Sequence, residues 1–112
     1  VGMLFDGLLQ SLNAARGAME RGEVEAKGQA IGKAVRILEE GLRGGLNQAQ
    51  GGDLAKNLNG LYGYAVQRLT LANLRNDRTL VTEVIGLIEP LAESWKQIRG
   101  AAAVPPATGL GA

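Results

Sequence analysis

Hydrophobic residues recur every three or four positions along most of this chain, which is the spacing of one face of an α-helix. The pattern predicts four helices, at about residues 2–21, 23–43, 53–75 and 78–99. No segment shows the sustained apolar–polar alternation that a half-buried strand between hairpin turns would have. We therefore predict an all-α domain over residues 1–99. A disordered tail is predicted over residues 100–112, where two prolines lie among small residues.

Residues that end or cap helices separate the four segments. Gly22 stands where a helix C-terminal glycine is expected, and residues 46–52 form a polar connection flanked by glycines. Asp53 and Asp77 are predicted to cap the third and fourth helices. Short connections place consecutive helices antiparallel, so we predict an up-down four-helix bundle. Helices of about 20 residues are about 30 Å long, which makes the bundle elongated.

Two residues interrupt the predicted helices. Lys27 lies on the apolar stripe of the second helix, where its aliphatic stem can still cover apolar surface. Pro90 lies inside the fourth helix, where it removes one backbone hydrogen bond and crowds the carbonyl of Gly86. Because the apolar pattern continues beyond Pro90 to Ile98, we predict a kink there rather than a helix end.

The third segment carries two offset apolar stripes, a width typical of a helix with two neighbours. One stripe contains Leu54, Leu58, Leu61, Ala65 and Ala72, and the other contains Tyr62, Val66, Leu69 and Asn73. Together the two stripes form one wide face, so Leu61→Asp is predicted to unfold the domain by placing a charge in the core. In the fourth segment the predicted face is formed by Leu80, Val84, Leu87, Leu91 and Ile98.

The composition argues against several classes of function. The chain of 112 residues has no Cys and no His, so thiolate chemistry, the commonest general base and the commonest transition-metal ligand are absent. A net charge of +1, from 12 basic and 11 acidic residues, argues against nucleic acid as the main partner. No apolar run approaches the roughly 20 residues of a membrane helix. We expect no cofactor, no metal and no membrane insertion, and the absence of Cys suits a reducing compartment.

The start of the chain is already part of the first apolar stripe and has no Met. We therefore expect that a native N-terminal segment precedes it.

Several short motifs follow one another in order along the chain. Leu4-Phe5-Asp6-Gly7 and Ala18-Met19-Glu20-Arg21-Gly22 lie on the first helix. Gly51-Gly52, Leu58, Leu61-Tyr62 and Tyr64 follow, and then Arg68-Leu69, Ala72-Asn73, Asp77, Val84 and Trp95. This ordered series, over about residues 1–98, resembles the FliS family of flagellin-export chaperones. Phe5 stands where that family usually has tyrosine, and Pro90 is not expected in its last helix.

The resemblance implies a cytoplasmic chaperone that binds the disordered C-terminal region of flagellin and prevents premature polymerisation. It also implies delivery of flagellin to the flagellar type III export apparatus, with export-gate or co-chaperone proteins as further partners. The predicted flagellin-binding residues are Ile37, Leu58, Tyr62, Tyr64, Arg68 and Asn73. The predicted structural residues are Asp6, Gly7, Gly51, Gly52 and Trp95, with Gly7 permitting a close helix crossing and Asp6 pairing with a base such as Arg68.

Two other classes of function stay open at this point. A helical bundle could act as an adaptor or homo-oligomer, with its groove filled by its own partner chain. An all-helical enzyme, such as a mutase, would need several cationic side chains converging in a buried pocket. The candidates for that role are Arg16, Lys33, Arg36 and Arg68, and their spacing places most of them outside the core. We therefore expect that the protein is not an enzyme.

Overall fold

A computed structural model describes residues 2–46 and 48–103, and this part of the chain forms four helices and no strand. The helices are α1 (Gly2–Arg21), α2 (Val24–Arg36), α3 (Gln48–Arg75) and α4 (Arg78–Ala103), with a π-helical segment (Ile37–Arg43) continuing directly from α2. The predicted all-α fold is confirmed. α4 runs past the predicted end at residue 99, because the alanines at 101–103 favour helix. The rest of the predicted tail, residues 104–112, lies outside the described residues.

The helices run antiparallel in an elongated bundle of 52 × 28 × 19 Å. The Lys27 Nζ atom, near the start of α2, donates to the Asn73 carbonyl oxygen near the end of α3 at 3.3 Å. Arg78, at the start of α4, donates to Glu20 near the end of α1 at 2.7 Å. α1 packs against α2 and α4, while α3 packs against the π segment, α2 and α4. Consequently α1 and α3 occupy opposite corners of the bundle.

The two tight connections end their helices with left-handed residues. Gly22 has φ +72°, and the Glu23 N–H donates to the Ala18 carbonyl oxygen at 2.9 Å, as in a Schellman motif. Asn76, with φ +53°, ends α3 in the same way. The prediction for Gly22 is confirmed.

The two predicted capping aspartates differ in outcome. Asp77 caps α4 by accepting from the backbone N–H of Thr79 at 2.9 Å. Hydrogen bonds from the hydroxyl and then the backbone of Thr79 lower the pKa of Asp77. α3 contains a break at Gly52, whose φ of 58° and ψ of −133° join a short helical stretch from Gln48 to a longer one. The longer stretch starts at Asp53, where the third helix was predicted to begin. Capping by the Asp53 side chain stays a prediction.

The end of the predicted second helix is a π-helix rather than an α-helix. The Gly44 N–H donates to the carbonyl of Glu39, five residues earlier, at 3.1 Å. A side chain at Gly44 would place its Cβ 2.5 Å from the Glu40 carbonyl oxygen, so only glycine fits there. Arg43 anchors the segment by donating to Glu39 at 2.7 Å and to Asn59 of α3 at 2.9 Å.

The core is formed by residues from all four helices. In α1 the residues at three-and-four spacing, Phe5, Leu8, Leu12 and Ala15, are buried, and Met19 at the end of the same stripe is half-buried. The fully buried large side chains are Leu8, Leu12, Leu38, Leu69, Val81, Val84 and Ile88. They belong to one continuous core cluster, together with Phe5, Ile31, Tyr62 and small residues such as Ala65 and Ala72.

In α3 only part of the predicted wide face is buried. Tyr62 and Leu69 are buried, whereas Leu61 is half-buried and lies outside the core cluster. Leu54 is 68% exposed, and Asn73 is exposed rather than part of an apolar face. The prediction that Leu61 carries the core is therefore wrong. The buried face takes two residues from each stripe, Ala65 and Ala72 from one and Tyr62 and Leu69 from the other, because packing against two neighbours fixes how the helix is turned.

In α4 the buried face is displaced from the predicted one. Leu80 and Val84 are buried as predicted, together with Val81, Ile85, Ile88 and Ala92. Leu87 and Leu91 are only half-buried, and the side chain of residue 98 is not described. The face is turned because α4 packs against both α1 and α3.

The predicted continuation of α4 through Pro90 is confirmed. Pro90 and Gly86 are both exposed, so the Gly86 carbonyl that loses its helical partner can bond to water. The kink itself stays a prediction.

Lys27, on the apolar stripe of α2, is buried to 7% exposure. Its Nζ also donates to the Asn76 side-chain oxygen at 3.3 Å. The charge thus lies at the C-terminus of α3, where the helix dipole favours a cation.

Candidate functional site

An apolar groove of about 400 Å³ lies at one end of the bundle. There the start of α1, the end of the π segment, the start of α3 and the end of α4 meet. We call it the apolar groove; its lining residues are Phe5, Gly41, Leu42, Gly45, Leu46, Leu54, Leu58, Tyr62, Leu91, Ser94 and Trp95. Such a concave apolar surface suits insertion of aliphatic or aromatic side chains from a partner.

Glycines and a helix break shape the walls of the groove. A Cβ at Gly41 would lie 3.0 Å from the Leu4 side chain, so glycine lets the π segment approach α1 closely. The break at Gly52 sets the direction of the start of α3, which places the exposed Leu54 at the rim. Tyr62 is buried against the core, and this burial raises the pKa of its hydroxyl.

Trp95 forms part of the groove wall contributed by α4. Its ring is half-buried and also lines a smaller adjoining hollow with Phe5 and Asp6. Its indole Nε1 atom is buried and has no hydrogen-bond partner among the described residues. Buried donors nearly always have a partner, so this atom is unusual.

A second cluster joins α3 to α4 on the side of the bundle. The Tyr64 hydroxyl and Arg68 Nε both donate to the Glu83 carboxylate, the latter at 2.9 Å. The Arg68 guanidinium also lies over the Tyr64 ring, 5.6 Å from its centre. The bond to Glu83 raises the pKa of Tyr64, while bonds from Tyr64 and then Arg68 lower the pKa of Glu83.

Comparison with known proteins decides the family. The family described as flagellar protein FliS matches residues 1–102. The chain belongs to the FliS family. It is 51% identical over 96 residues to the flagellar secretion chaperone FliS of Salmonella typhimurium, which covers 86% of this chain and 71% of that protein.

More distant FliS proteins match over a similar span. The flagellar secretion chaperone FliS of Escherichia coli is 43% identical over 97 residues, covering 87% of this chain and 71% of the relative. That of Bacillus subtilis is 33% identical over 95 residues, covering 85% and 69% respectively. The resemblance drawn from the ordered motifs is therefore confirmed.

The residues of the FliS motifs lie at different places in the bundle and do not form one cluster. Gly51 lies in the first turn of α3, one residue before the break at Gly52. Gly7 lets α1 approach the π segment, since its Cβ would lie 3.5 Å from Ile37 Cδ1. The expected pairing of Asp6 with Arg68 is wrong. Arg68 pairs with Glu83, because α3 lies beside α4 and diagonally across from α1.

The structure brings together only part of the predicted binding set. Leu58 and Tyr62 line the apolar groove, with Trp95 across from them. Ile37 is half-buried against the core, and Asn73 is exposed at the opposite end beside Lys27. Tyr64, which is 40% exposed, and Arg68 belong to the lateral cluster. Whether any of these residues binds a partner stays a prediction.

Sequence reasoning missed most of the groove. Phe5, Leu42, Leu46, Leu54 and Leu91 all line it, although periodicity predicts only apolar faces for Leu54 and Leu91 and a connection at Leu46. The available signal was their position: each lies near the end of a segment that an antiparallel bundle brings to the same place.

Two classes of site are not seen in the part of the chain that the structure describes. No group of three or more Asp or Glu side chains within residues 2–46 and 48–103 is arranged to hold a metal ion. Over the same ranges, no helix combines the length and the apolar character needed to cross a membrane.

Proposed function

We propose that this FliS-family protein acts in the bacterial cytosol by binding the C-terminal segment of flagellin in the apolar groove. The bound segment is kept from polymerising and is delivered to the flagellar type III export apparatus. The observation that carries the proposal is the groove itself, open at the bundle end and lined almost entirely by apolar side chains. The relatives' description as flagellar secretion chaperones supports it.

The geometry suits a segment that folds as it binds. An amphipathic helix places anchors at positions three and four apart into such a groove. Ordering a disordered segment costs conformational entropy, so the contact must extend over a large surface. The 52 Å bundle is as long as a helix of about 35 residues, which leaves room for the segment to continue along its side.

The arrangement of cations favours a binding protein over an enzyme. Arg68 is held by Glu83 on the side of the bundle, away from the groove. Lys33 and Arg36 are exposed, and Arg16 bonds to its neighbour Asn13 on α1. These four side chains do not converge in a buried pocket, which is what the mutase hypothesis requires.

Calorimetric titration with a synthetic peptide of the flagellin C-terminal segment from the same organism tests the proposal. We expect one-to-one binding with a large negative heat-capacity change, the mark of apolar burial. Leu54→Asp places a charge at the groove rim and is expected to weaken binding at least about tenfold. Leu54 is 68% exposed, so the fold should tolerate the change.

Leu74→Asp is the matched control, because Leu74 is 79% exposed on the same helix but at the opposite end. We expect it to bind like the wild type. Equal loss in both variants, or none in either, would place the binding surface elsewhere. A protein that binds no peptide and sediments as a homo-oligomer would favour the adaptor hypothesis.

A further inference from the structure

We infer that the indole N–H of Trp95 donates a hydrogen bond to a carbonyl of the segment bound in the apolar groove. Trp95 would thereby set the register of that segment, in addition to packing against it. This inference rests on the proposed function, since it requires a peptide occupant.

The unsatisfied donor is the first observation. Trp95 Nε1 is buried and has no acceptor within residues 2–46 and 48–103. Leaving a buried donor unpaired costs free energy that a partner can recover on binding. The ring belongs to the groove wall but its Nε1 atom is covered in the free protein, so the bond requires the indole to turn toward the segment as it enters.

The composition of the groove provides the second observation. Apart from Trp95, only Tyr62 and Ser94 bring polar side chains to its lining, and neither bonds to the indole. An occupant of the groove is therefore the source of the acceptor in this proposal. A helix leaves its last four carbonyls without intrahelical partners, so a helical segment ending in the groove presents such an acceptor beside its apolar anchors.

The position of Trp95 explains how one bond can select a register. Apolar anchors of similar size can slide by one helical turn in an apolar groove, because the hydrophobic effect is not directional. A hydrogen bond needs a donor–acceptor distance of about 3 Å and near-linear geometry. Only one register of the segment satisfies both the anchors and the indole.

The test compares Trp95→Phe with the wild type in titrations with the same flagellin peptide. Phenylalanine keeps an aromatic ring in the wall and removes only the N–H and the second ring. We expect the free variant to melt close to the wild type, because loss of the unpaired donor offsets loss of the second ring, but to bind about three- to tenfold more weakly. Weaker binding without a matching loss of stability distinguishes a binding donor from a packing residue.

Leu71→Met serves as the control for changes in packing. Leu71 is half-buried against the core on α3 and does not line the groove, and the exchange conserves volume. We expect its affinity to stay within about twofold of the wild type. A similar loss in both variants would assign the effect to packing and overturn the inference.

A second measurement uses the wild-type protein and does not depend on the variant folding. The chain has one Trp, so its ¹⁵N spectrum contains a single indole N–H signal. On saturation with peptide we expect that signal to move downfield and its exchange with solvent to slow. An unmoved signal with tight binding overturns the inference alone, while absence of binding overturns the proposed function and the role of Trp95 with it.

Discussion

Two glycine-to-alanine substitutions in α3 test the break that directs this helix toward the groove. Gly52 has a positive φ that an L residue rarely adopts, whereas Gly60 lies on the helical part of the same element. Nothing lies within 4 Å of a Cβ added at either position, so steric contact does not distinguish them. Any difference between the two variants must come from the backbone.

The structure predicts opposite signs. Forcing alanine into the conformation of Gly52 costs about 1–3 kcal/mol of strain. At Gly60 alanine removes the entropic disadvantage of glycine in a helix and stabilises by about 0.5–1 kcal/mol. The free energies of unfolding should therefore differ by about 1.5–4 kcal/mol. At about 4 °C per kcal/mol, the melting temperatures should be separated by about 6–16 °C.

Thermal unfolding followed by circular dichroism at 222 nm is the assay, with both variants melted beside the wild type. Gly52→Ala should melt below the wild type and Gly60→Ala above it. Because the break precedes Leu54 at the rim, Gly52→Ala should also weaken peptide binding, whereas Gly60→Ala should not. Similar upward shifts in both variants would show that α3 runs as an ordinary helix through Gly52, and the reasoning would be refuted.

Two further predictions concern stability. Hydrogen bonds from Tyr64 and Arg68 hold the pKa of Glu83 below its ordinary value of 4.5, so its stabilising contribution is present above that pH and is lost as the pH falls through the folded-state pKa. Glu83→Gln should therefore melt below the wild type at neutral pH, with a gap that narrows in acid; a gap independent of pH would contradict this. Leu69→Ala should lose about 2–5 kcal/mol in chemical denaturation, whereas Leu74→Ala, at 79% exposure, should stay within about 0.5 kcal/mol. Equal losses for the two leucines would mean that the buried face of α3 is misassigned.

Local signals in the sequence determined the helices and several of their ends. The three-and-four spacing from Phe5 to Ala15 marks a face that is buried in the structure. Gly22 ends α1 and Asp77 caps α4 as their residue types predict. These features depend on contacts within a few residues along the chain, which is why the sequence alone is sufficient for them. The ordered motifs likewise identified the family.

The buried faces of α3 and α4 depended on neighbours far away in the sequence. Leu61 and Tyr62 are equally plausible core residues by periodicity, and only packing against two flanking helices chose Tyr62. The partner of Arg68 was decided in the same way, because α4 rather than α1 lies beside α3.

The groove is the part that only the tertiary structure could decide. Its walls come from the start of α1, the π segment, the start of α3 and the end of α4, so residues such as Phe5 and Trp95 meet only after the bundle has closed. The sequence by itself determined four amphipathic helices and a family. The antiparallel packing of those helices brought their ends together as an apolar groove with an unpaired donor. Only the tertiary structure decides this arrangement, because it depends on contacts between residues far apart in the sequence.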